Sequence, residues 1–166
     1  MRLGLLGAGA VGELHADAAV HVPGVEVAAV CSVSIDEAAR VAAAHRARPF
    51  TDYQEMFDQG GLDAVIISTP HAMHTQMVLD AAAAGLQVLV EKPMATTAAD
   101  CDVMIDACRT AGVALAVGHI QHFMPDKTTA YAAIQQGDIG EPLMVHDYRS
   151  TDYRPGTRPA WFFDKA

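Results

Sequence analysis

Three glycines near the N-terminus are spaced as Gly7-x-Gly9-x-x-Gly12, the pattern of a loop that binds the phosphates of a dinucleotide. In such a loop the first glycine permits a tight turn, the second lets a pyrophosphate approach the backbone, and the third lets a helix pack closely on the preceding strand. The helix would begin around Ala10 and Val11, where free N–H groups and the positive end of the helix dipole face the phosphates. These five residues are the predicted phosphate site, and a glycine-rich turn without a ligand is the alternative.

The position that should select the cofactor is occupied by Ser32. An acidic residue about 20 positions beyond the glycines would hold the ribose 2′-hydroxyl of NAD. A serine cannot repel the 2′-phosphate of NADP as a carboxylate would, yet no Arg follows at once, since Val33 and Ser34 come next. Asp36 is interpreted as a helix N-cap rather than as a cofactor contact. The choice between NAD and NADP is therefore open.

A second polar group, residues 69–74, follows the apolar segment 64–68. Thr69 is placed to cap a helix, and Pro70 suits a first helical turn. His71 and His74 are three residues apart, so they share one helical face. Because no third ligand is spaced with them, a surface or cofactor-lining role is favoured over a metal site.

Glu91-Lys92-Pro93 closes the next apolar segment. Carboxyl ends of parallel strands meet at one edge of a sheet, so Lys92 would be a cation near that edge. There it could hydrogen-bond a substrate oxygen or transfer a proton. The alternative is an exposed lysine with Glu91 as its salt-bridge partner.

The scaffold that would position these residues alternates apolar runs with helix-like stretches. Almost wholly apolar runs are typical of parallel strands covered on both faces, and here they occupy 3–6, 25–31, 64–68, 87–90 and 113–117. Residues 47–50 form a further short strand in this interpretation. Helix caps are expected at Asp36, Asp52 and Thr97. The alternation predicts an α/β fold, a doubly wound parallel Rossmann sheet over residues 1–118.

Composition narrows the classes of partner. Eleven Lys and Arg against twenty Asp and Glu give a net charge of −9, which argues against nucleic acid or an anionic membrane surface. No apolar run approaches the roughly 18 residues of a membrane span. The three cysteines Cys31, Cys101 and Cys108 indicate neither a disulfide framework nor a zinc site. A soluble, cytoplasmic protein is expected.

After Gly118 the alternation ends. Residues 126–136 are predicted to form a helix and 143–150 one extended strand, followed by a tail with the aromatic group 161–163. One helix and one strand cannot bury a core of their own. Residues 119–166 are therefore interpreted as the incomplete start of a second domain.

Together these motifs resemble the glucose–fructose oxidoreductase, inositol dehydrogenase and MocA (Gfo/Idh/MocA) family. The resemblance covers nearly the whole chain and rests on Gly7 to Gly12 with His15, Ser68-Thr69-Pro70 with His74, Glu91-Lys92-Pro93, Val117-Gly118-His119 with Phe123 and Pro125, Gly137-x-Ile139-Gly140, and the closing Arg158-Pro159-x-Trp161-Phe162-x-Asp164.

The resemblance implies an NAD(P)-dependent dehydrogenase that passes hydride between the nicotinamide and a carbinol carbon of a sugar, inositol or related hydroxylated substrate. Lys92 would be the motif lysine beside the nicotinamide and the reacting oxygen, and the Lys92–Pro93 bond is expected to be cis. The remaining cofactor contacts implied are Ser32, Thr69, Pro70, His71, His74 and Glu91.

The chain departs from the family pattern at its C-terminal end. The family's downstream glycine-rich segment, with its Asp and His near the substrate, is not reached before Ala166. Most of the α+β substrate domain, which also builds the subunit interface, is missing too. A fragment, a natural truncation and a misread frame are all open. The expectation is a self-associating chain that binds dinucleotide without appreciable turnover, and the alternative is a catalytically silent nucleotide-binding or interaction module.

Overall fold

In a computed structural model of the chain, which describes residues 1–148, strands and helices alternate as the sequence pattern predicts. The elements are β1 (Arg2–Leu6), α1 (Ala10–Ala19), β2 (Glu26–Cys31), α2 (Ile35–His45), β3 (Arg48–Phe50), α3 (Tyr53–Gln59), β4 (Ala64–Ile67), α4 (His74–Ala83), β5 (Gln87–Val90), α5 (Ala98–Ala111), β6 (Leu115–Val117) and α6 (Pro125–Gln136).

The strands form one parallel sheet in the order β3-β2-β1-β4-β5-β6. The predicted doubly wound α/β fold is confirmed. Strands β2 and β3 are added on one side of β1 and strands β4 to β6 on the other, so the order of the strands reverses at β1. In open α/β sheets the crevice at such a reversal, beyond the carboxyl ends of the strands, is where ligands bind.

The strands end level with one another along that edge. Pairing places Leu6 opposite both Cys31 and Ile67, and Ile67 opposite Val90. The next residue of each strand then donates its backbone N–H to the last carbonyl of the neighbouring strand, at 2.8–3.1 Å. The five donors of this edge ladder are Ser32, Gly7, Ser68, Glu91 and Gly118. The ladder thus fixes the backbone from which the predicted site residues project.

Both faces of the sheet are apolar because consecutive strand residues point to opposite sides. Leu5 and Val30 pack in a cluster with α1 and α2, whereas Leu6, Val65 and Ile67 pack on the other side with α3, α4 and α5. Helices therefore pack on both faces, as the continuous apolar strands predict, while an apolar groove lined by Leu3, Ile66, Leu89 and Ala116 stays open beside α1. Among residues 1–148, no helix is long and apolar enough to cross a membrane.

Side-chain caps define where the helices begin. Asp52 accepts N–H bonds at the start of α3, and Thr97 accepts one at the start of α5, as predicted. The predicted cap at Asp36 is wrong, because Ser34 is the N-cap of α2 and its hydroxyl accepts from Glu37 N at 3.4 Å. Asp36 lies instead in the first turn, where the helix dipole favours a negative charge.

The chain divides into two units, residues 1–118 and the residues from His119 onward. In the second unit, a short 3₁₀ turn at Ile120–Phe123 leads into α6, none of whose residues is buried. Lys127 forms an ion pair with Asp147 at 3.5 Å. An exposed helix without a packed face gains little from burial, so this unit has no apolar core among its described residues.

The extended strand predicted over 143–150 is not formed in its described part. Residues 143–148 pair with no other strand, and a lone strand leaves its backbone ladder unmade. The apolar side chains of Leu143 and Val145 are 92% and 79% exposed. The end of that predicted strand, the aromatic group 161–163 and the closing motif lie outside the described residues.

Candidate functional site

Two of the three loop glycines are required by the packing of the protein itself. Gly7 has φ +98°, and a Cβ added there would lie 2.7 Å from the backbone oxygen of Ser68. A Cβ added at Gly12 would overlap the carbonyl oxygen of Gly7. The positive φ of Gly7 thus forms the predicted turn. The absence of a side chain at Gly12 allows the predicted close approach of helix to strand.

Gly9 differs from both, because apart from Gly9 itself and its two neighbours no atom of the described chain lies within 4 Å of the position that its Cβ would occupy. Its φ of −75° is accessible to any residue. Gly9 is the N-cap of α1 and provides no side chain to cap it. The N–H groups of Ala10, Val11 and Gly12 have no acceptor within the helix, as in the first turn of any α-helix. The loop therefore has the room and the donors that a pyrophosphate needs.

Ser68 supports the loop from the neighbouring strand. Its hydroxyl lies 3.0 Å from the oxygen of Leu6 and 3.1 Å from that of Gly7, both of which can accept its proton. This role was not predicted from the sequence. The available signal was the position of Ser68 as the first residue after a buried strand, beside β1 in the sheet.

The helix that follows β4 is preceded by a turn that the sequence did not predict. A 3₁₀ turn at His71–Met73 precedes α4, and Pro70 stands just before that turn. The predicted cap at Thr69 is wrong, because its hydroxyl donates to Met77 Sδ at 3.3 Å and neither helix start has a side-chain cap.

His74 is fully buried, and each of its ring nitrogens lies within hydrogen-bond distance of a backbone carbonyl oxygen. Nδ1 lies 3.1 Å from Pro93 O, and Nε2 lies 2.9 Å from Thr69 O. The ring therefore ties the loop after β4 to the loop after β5. His74 therefore does not occupy the expected surface position, and its cofactor-lining role stays a prediction.

His71 packs edge-on against His74, with ring centroids 5.7 Å apart. Partial burial lowers the pKa of His71, electrostatic interactions with His74 and Lys92 lower it further, and Glu91 opposes them. The neutral imidazole is thereby favoured. Within residues 1–148 no three His, Cys, Asp or Glu side chains are grouped to hold a metal ion.

Glu91 is bonded on both carboxylate oxygens. Oε1 lies 2.8 Å from Nε2 of His15 on α1, and Oε2 accepts the backbone N–H of Lys92 at 3.1 Å. A Cβ at Gly118 would lie 2.8 Å from Oε1, so the missing side chain makes room for the carboxylate. The observed ion-pair partner of Glu91 is thus His15, 76 residues away, rather than the lysine side chain suggested as an alternative.

Lys92 is exposed at the sheet edge, and its bond to Pro93 is cis, as predicted. Its charge is close enough to His71 to lower the pKa of that imidazole. The edge after β4 and β5 thus combines one exposed cation with neighbouring imidazoles.

The opposite end of the crevice, beyond β2, contains a serine and charged side chains in place of imidazoles. Ser32 Oγ donates to Oε2 of Glu37 at 2.9 Å. Arg40 donates to Glu13 Oε1 at 2.8 Å and lies 3.5 Å from the oxygen of Ala8 in the glycine loop. This hydrogen bond lowers the pKa of Glu13 and raises that of Arg40. Sequence reasoning did not identify Glu37, although a carboxylate near the end of the second strand was what it sought.

Comparison with known proteins agrees with this geometry. The profile of the GFO_IDH_MocA family, described as an oxidoreductase family with an NAD-binding Rossmann fold, matches residues 1–119. The chain is 37% identical over 149 residues to inositol 2-dehydrogenase of Acidothermus cellulolyticus, covering 88% of this chain and 44% of that protein. It is 35% identical over 140 residues to 4-carboxy-2-hydroxymuconate-6-semialdehyde dehydrogenase of a Sphingobium strain, covering 84% and 44%.

Solved structures show the same architecture. The WlbA dehydrogenase of Bordetella pertussis, in complex with NADH and UDP-GlcNAcA, superposes with a TM-score of 0.79 at 34% identity, covering 84% of this chain and 41% of that one. The chain thus spans less than half the length of the relatives it matches.

Proposed function

Because this chain belongs to the Gfo/Idh/MocA oxidoreductase family, we propose that residues 1–118 are a dinucleotide-binding domain for NAD(H) or NADP(H). The residues from 119 onward would begin the substrate domain. The observation that carries the proposal is the open space at Gly9, between two glycines whose own space is filled by the protein. A pyrophosphate that approaches the backbone at this point accounts for the absence of a side chain there.

The chain would hold the cofactor along the carboxyl edge of the sheet. N–H groups of Ala10, Val11 and Gly12 donate to the pyrophosphate, and Ser68 keeps the loop in the shape that presents them. Ser32, at the end of β2, lies where the adenosine ribose would bind. The nicotinamide would then lie toward the ends of β4 and β5, beside the segment formed by Thr69, Pro70 and His71.

A bound nicotinamide would accept or deliver a hydride. Lys92 is the catalytic residue we assign, because its exposed ammonium can hold a proton at the reacting oxygen of a hydroxylated substrate such as a sugar or an inositol. Glu91 orients the backbone of Lys92 through its N–H, and His74 fixes the carbonyl of Pro93. The two residues that flank Lys92 in sequence are thus held by side chains of the protein, which limits where the lysine can point.

Calorimetric titration with NADH and NADPH tests the binding site. Gly9→Ala should weaken both by about tenfold or more, since the methyl group occupies the space for the pyrophosphate. Its far-UV circular dichroism should match that of the parent, and the loss of folding free energy should stay below about 1 kcal/mol. Equal affinity of parent and variant would show that the pyrophosphate does not bind at this loop.

Turnover separates the dehydrogenase from a silent nucleotide-binding module. Any oxidation of inositols or sugars by the parent, followed by the absorbance of reduced nicotinamide, should be lost in Lys92→Met and retained in Lys127→Met. Dinucleotide affinity should survive in both variants. A parent that binds dinucleotide but oxidises no member of the panel would agree with the expected binding without turnover and would give no support to the catalytic role of Lys92.

A further inference from the structure

No acidic residue follows the end of β2 directly, but an acidic side chain of the next helix, that of Glu37, lies beside this position. Ser32 is the first residue after β2, and Glu37 is in the first turn of α2. The side chain of Glu37 turns back toward the strand end and accepts a hydrogen bond from Ser32 Oγ at 2.9 Å. A carboxylate therefore lies one hydrogen bond away from the position that a strand-end acid would occupy.

That carboxylate has capacity left for a ligand. An ionised carboxylate offers about four acceptor sites on two oxygens, and Ser32 takes one of them. Glu37 is exposed, so the carboxylate is accessible to a ligand. The Ser32 hydroxyl restrains the glutamate side chain, which would otherwise be free to rotate on its three torsions.

The surrounding charges disfavour a phosphate. Arg40 is the cation nearest to this group in the contacts described, and it is held by Glu13 at 2.8 Å. Glu37 contributes to raising the pKa of Arg40, so the two charges interact as well. Asp36 adds a further negative charge in the same helical turn. A 2′-phosphate would meet Glu37 directly and would have to displace Glu13 in order to use Arg40.

We propose that Glu37, oriented by Ser32, accepts the 2′-hydroxyl of the adenosine ribose and makes this chain prefer NAD(H) over NADP(H). The inference rests on the proposed function, because it assumes that a dinucleotide binds along the same edge. It resolves the choice of cofactor that Ser32 alone left open.

The test is the ratio of NADH to NADPH affinity, measured by calorimetry at about 0.15 M salt, where the Debye length is about 8 Å. The parent should bind NADH at least about tenfold more tightly. Glu37→Gln removes the charge but keeps an acceptor, so it should lower the ratio by about tenfold, mainly through tighter NADPH binding. Asp36→Asn is the matched control, since it removes the same charge from the same turn, and it should change the ratio by less than about twofold.

A second variant, Glu13→Gln, releases Arg40 and should strengthen NADPH binding while leaving NADH nearly unchanged. A parent that prefers NADPH, or a Glu37→Gln variant whose ratio moves no more than that of Asp36→Asn, would overturn the role of Glu37 and leave the dinucleotide site standing. Failure of the parent to bind either dinucleotide would overturn both proposals.

Discussion

The two ends of the crevice are built in opposite ways. The inner cluster, His15, Glu91 and His74, joins separate elements through short bonds at little-exposed groups, with side chains of His15 and Glu91 only 18% and 13% exposed. The outer rim, Glu13, Ser32, Glu37 and Arg40, carries its charges on long side chains near solvent, with Arg40 and Glu13 55% and 43% exposed.

This difference separates two tasks. Buried polar groups are costly to leave without partners, so the inner cluster has one stable arrangement and suits groups that position a reaction. Exposed ion pairs contribute little to stability, so charges on the rim can be exchanged without disturbing the fold. Loss of either region should therefore affect a different observable, stability for the inner cluster and ligand selection for the rim.

Gly12→Ala should produce the largest effect, because it disrupts the loop that both regions share. Its methyl group would overlap the oxygen of Gly7 and lie 2.9 Å from Ser68 Oγ. We expect a loss of at least about 3 kcal/mol in chemical denaturation. Gly9→Ala is the control, because it adds the same methyl group where the surroundings are open. Similar losses of stability in both variants would contradict the described packing.

His74→Ala should come next. The change leaves a cavity and deprives the carbonyls of Thr69 and Pro93 of their partner. A loss of about 2–4 kcal/mol in the free energy of unfolding is expected. His21→Ala, at an exposed histidine, should stay within about 0.5 kcal/mol of the parent. If the two substitutions cost the same, the inner cluster is not the rigid region described here.

Glu91→Gln removes the charge of the inner ion pair and keeps its shape. Because His15 then faces an amide in a partly buried position, we expect a loss of about 1–2 kcal/mol in urea denaturation at neutral pH. The matched control is Glu26→Gln, which neutralises the exposed pair of Glu26 with Arg2. A loss in the control as large as that in Glu91→Gln would abolish the distinction between buried and exposed pairs.

Glu13→Gln should have the smallest effect on stability and a defined pH dependence. Arg40 lowers the folded-state pKa of Glu13 below its ordinary 4.5, so the contribution of this carboxylate is present above that value and is lost as the pH falls through the lowered pKa. Thermal midpoints of parent and variant should differ slightly at pH 7 and converge in acid. A difference that grows on acidification would have the wrong sign.

The architecture followed from the sequence because the central strands β1, β2 and β4 are almost wholly apolar and each strand is followed by a helix. The glycine loop was predicted for the same reason, since its residues are adjacent in the chain. His15 and Glu91, however, are 76 positions apart, and only the sheet order brings α1 over β5. Glu37 was missed because its side chain, rather than its position in the sequence, reaches the end of β2.

Single-residue caps show the same limit on a smaller scale. Ser34 and Asp36 are both good N-cap residues, and nothing local decides between them. Which of the two residues caps α2 depends on where β2 ends, and the strand pairing of the sheet determines that end. The hydroxyl of Thr69 likewise donates to the sulfur of Met77 instead of capping a helix. This contact exists only because α4 packs beside Thr69.

The edge ladder, in which Gly7, Ser32, Ser68, Glu91 and Gly118 donate to neighbouring strand ends, determines how this site can move. These amides are continuous with the hydrogen bonds of the sheet, so their exchange with solvent deuterium follows the opening of the strands rather than the fluctuation of separate loops. The backbone of the crevice is consequently as long-lived as the sheet, and we expect adjustment to a ligand there to come from exposed side chains, which change rotamer within nanoseconds.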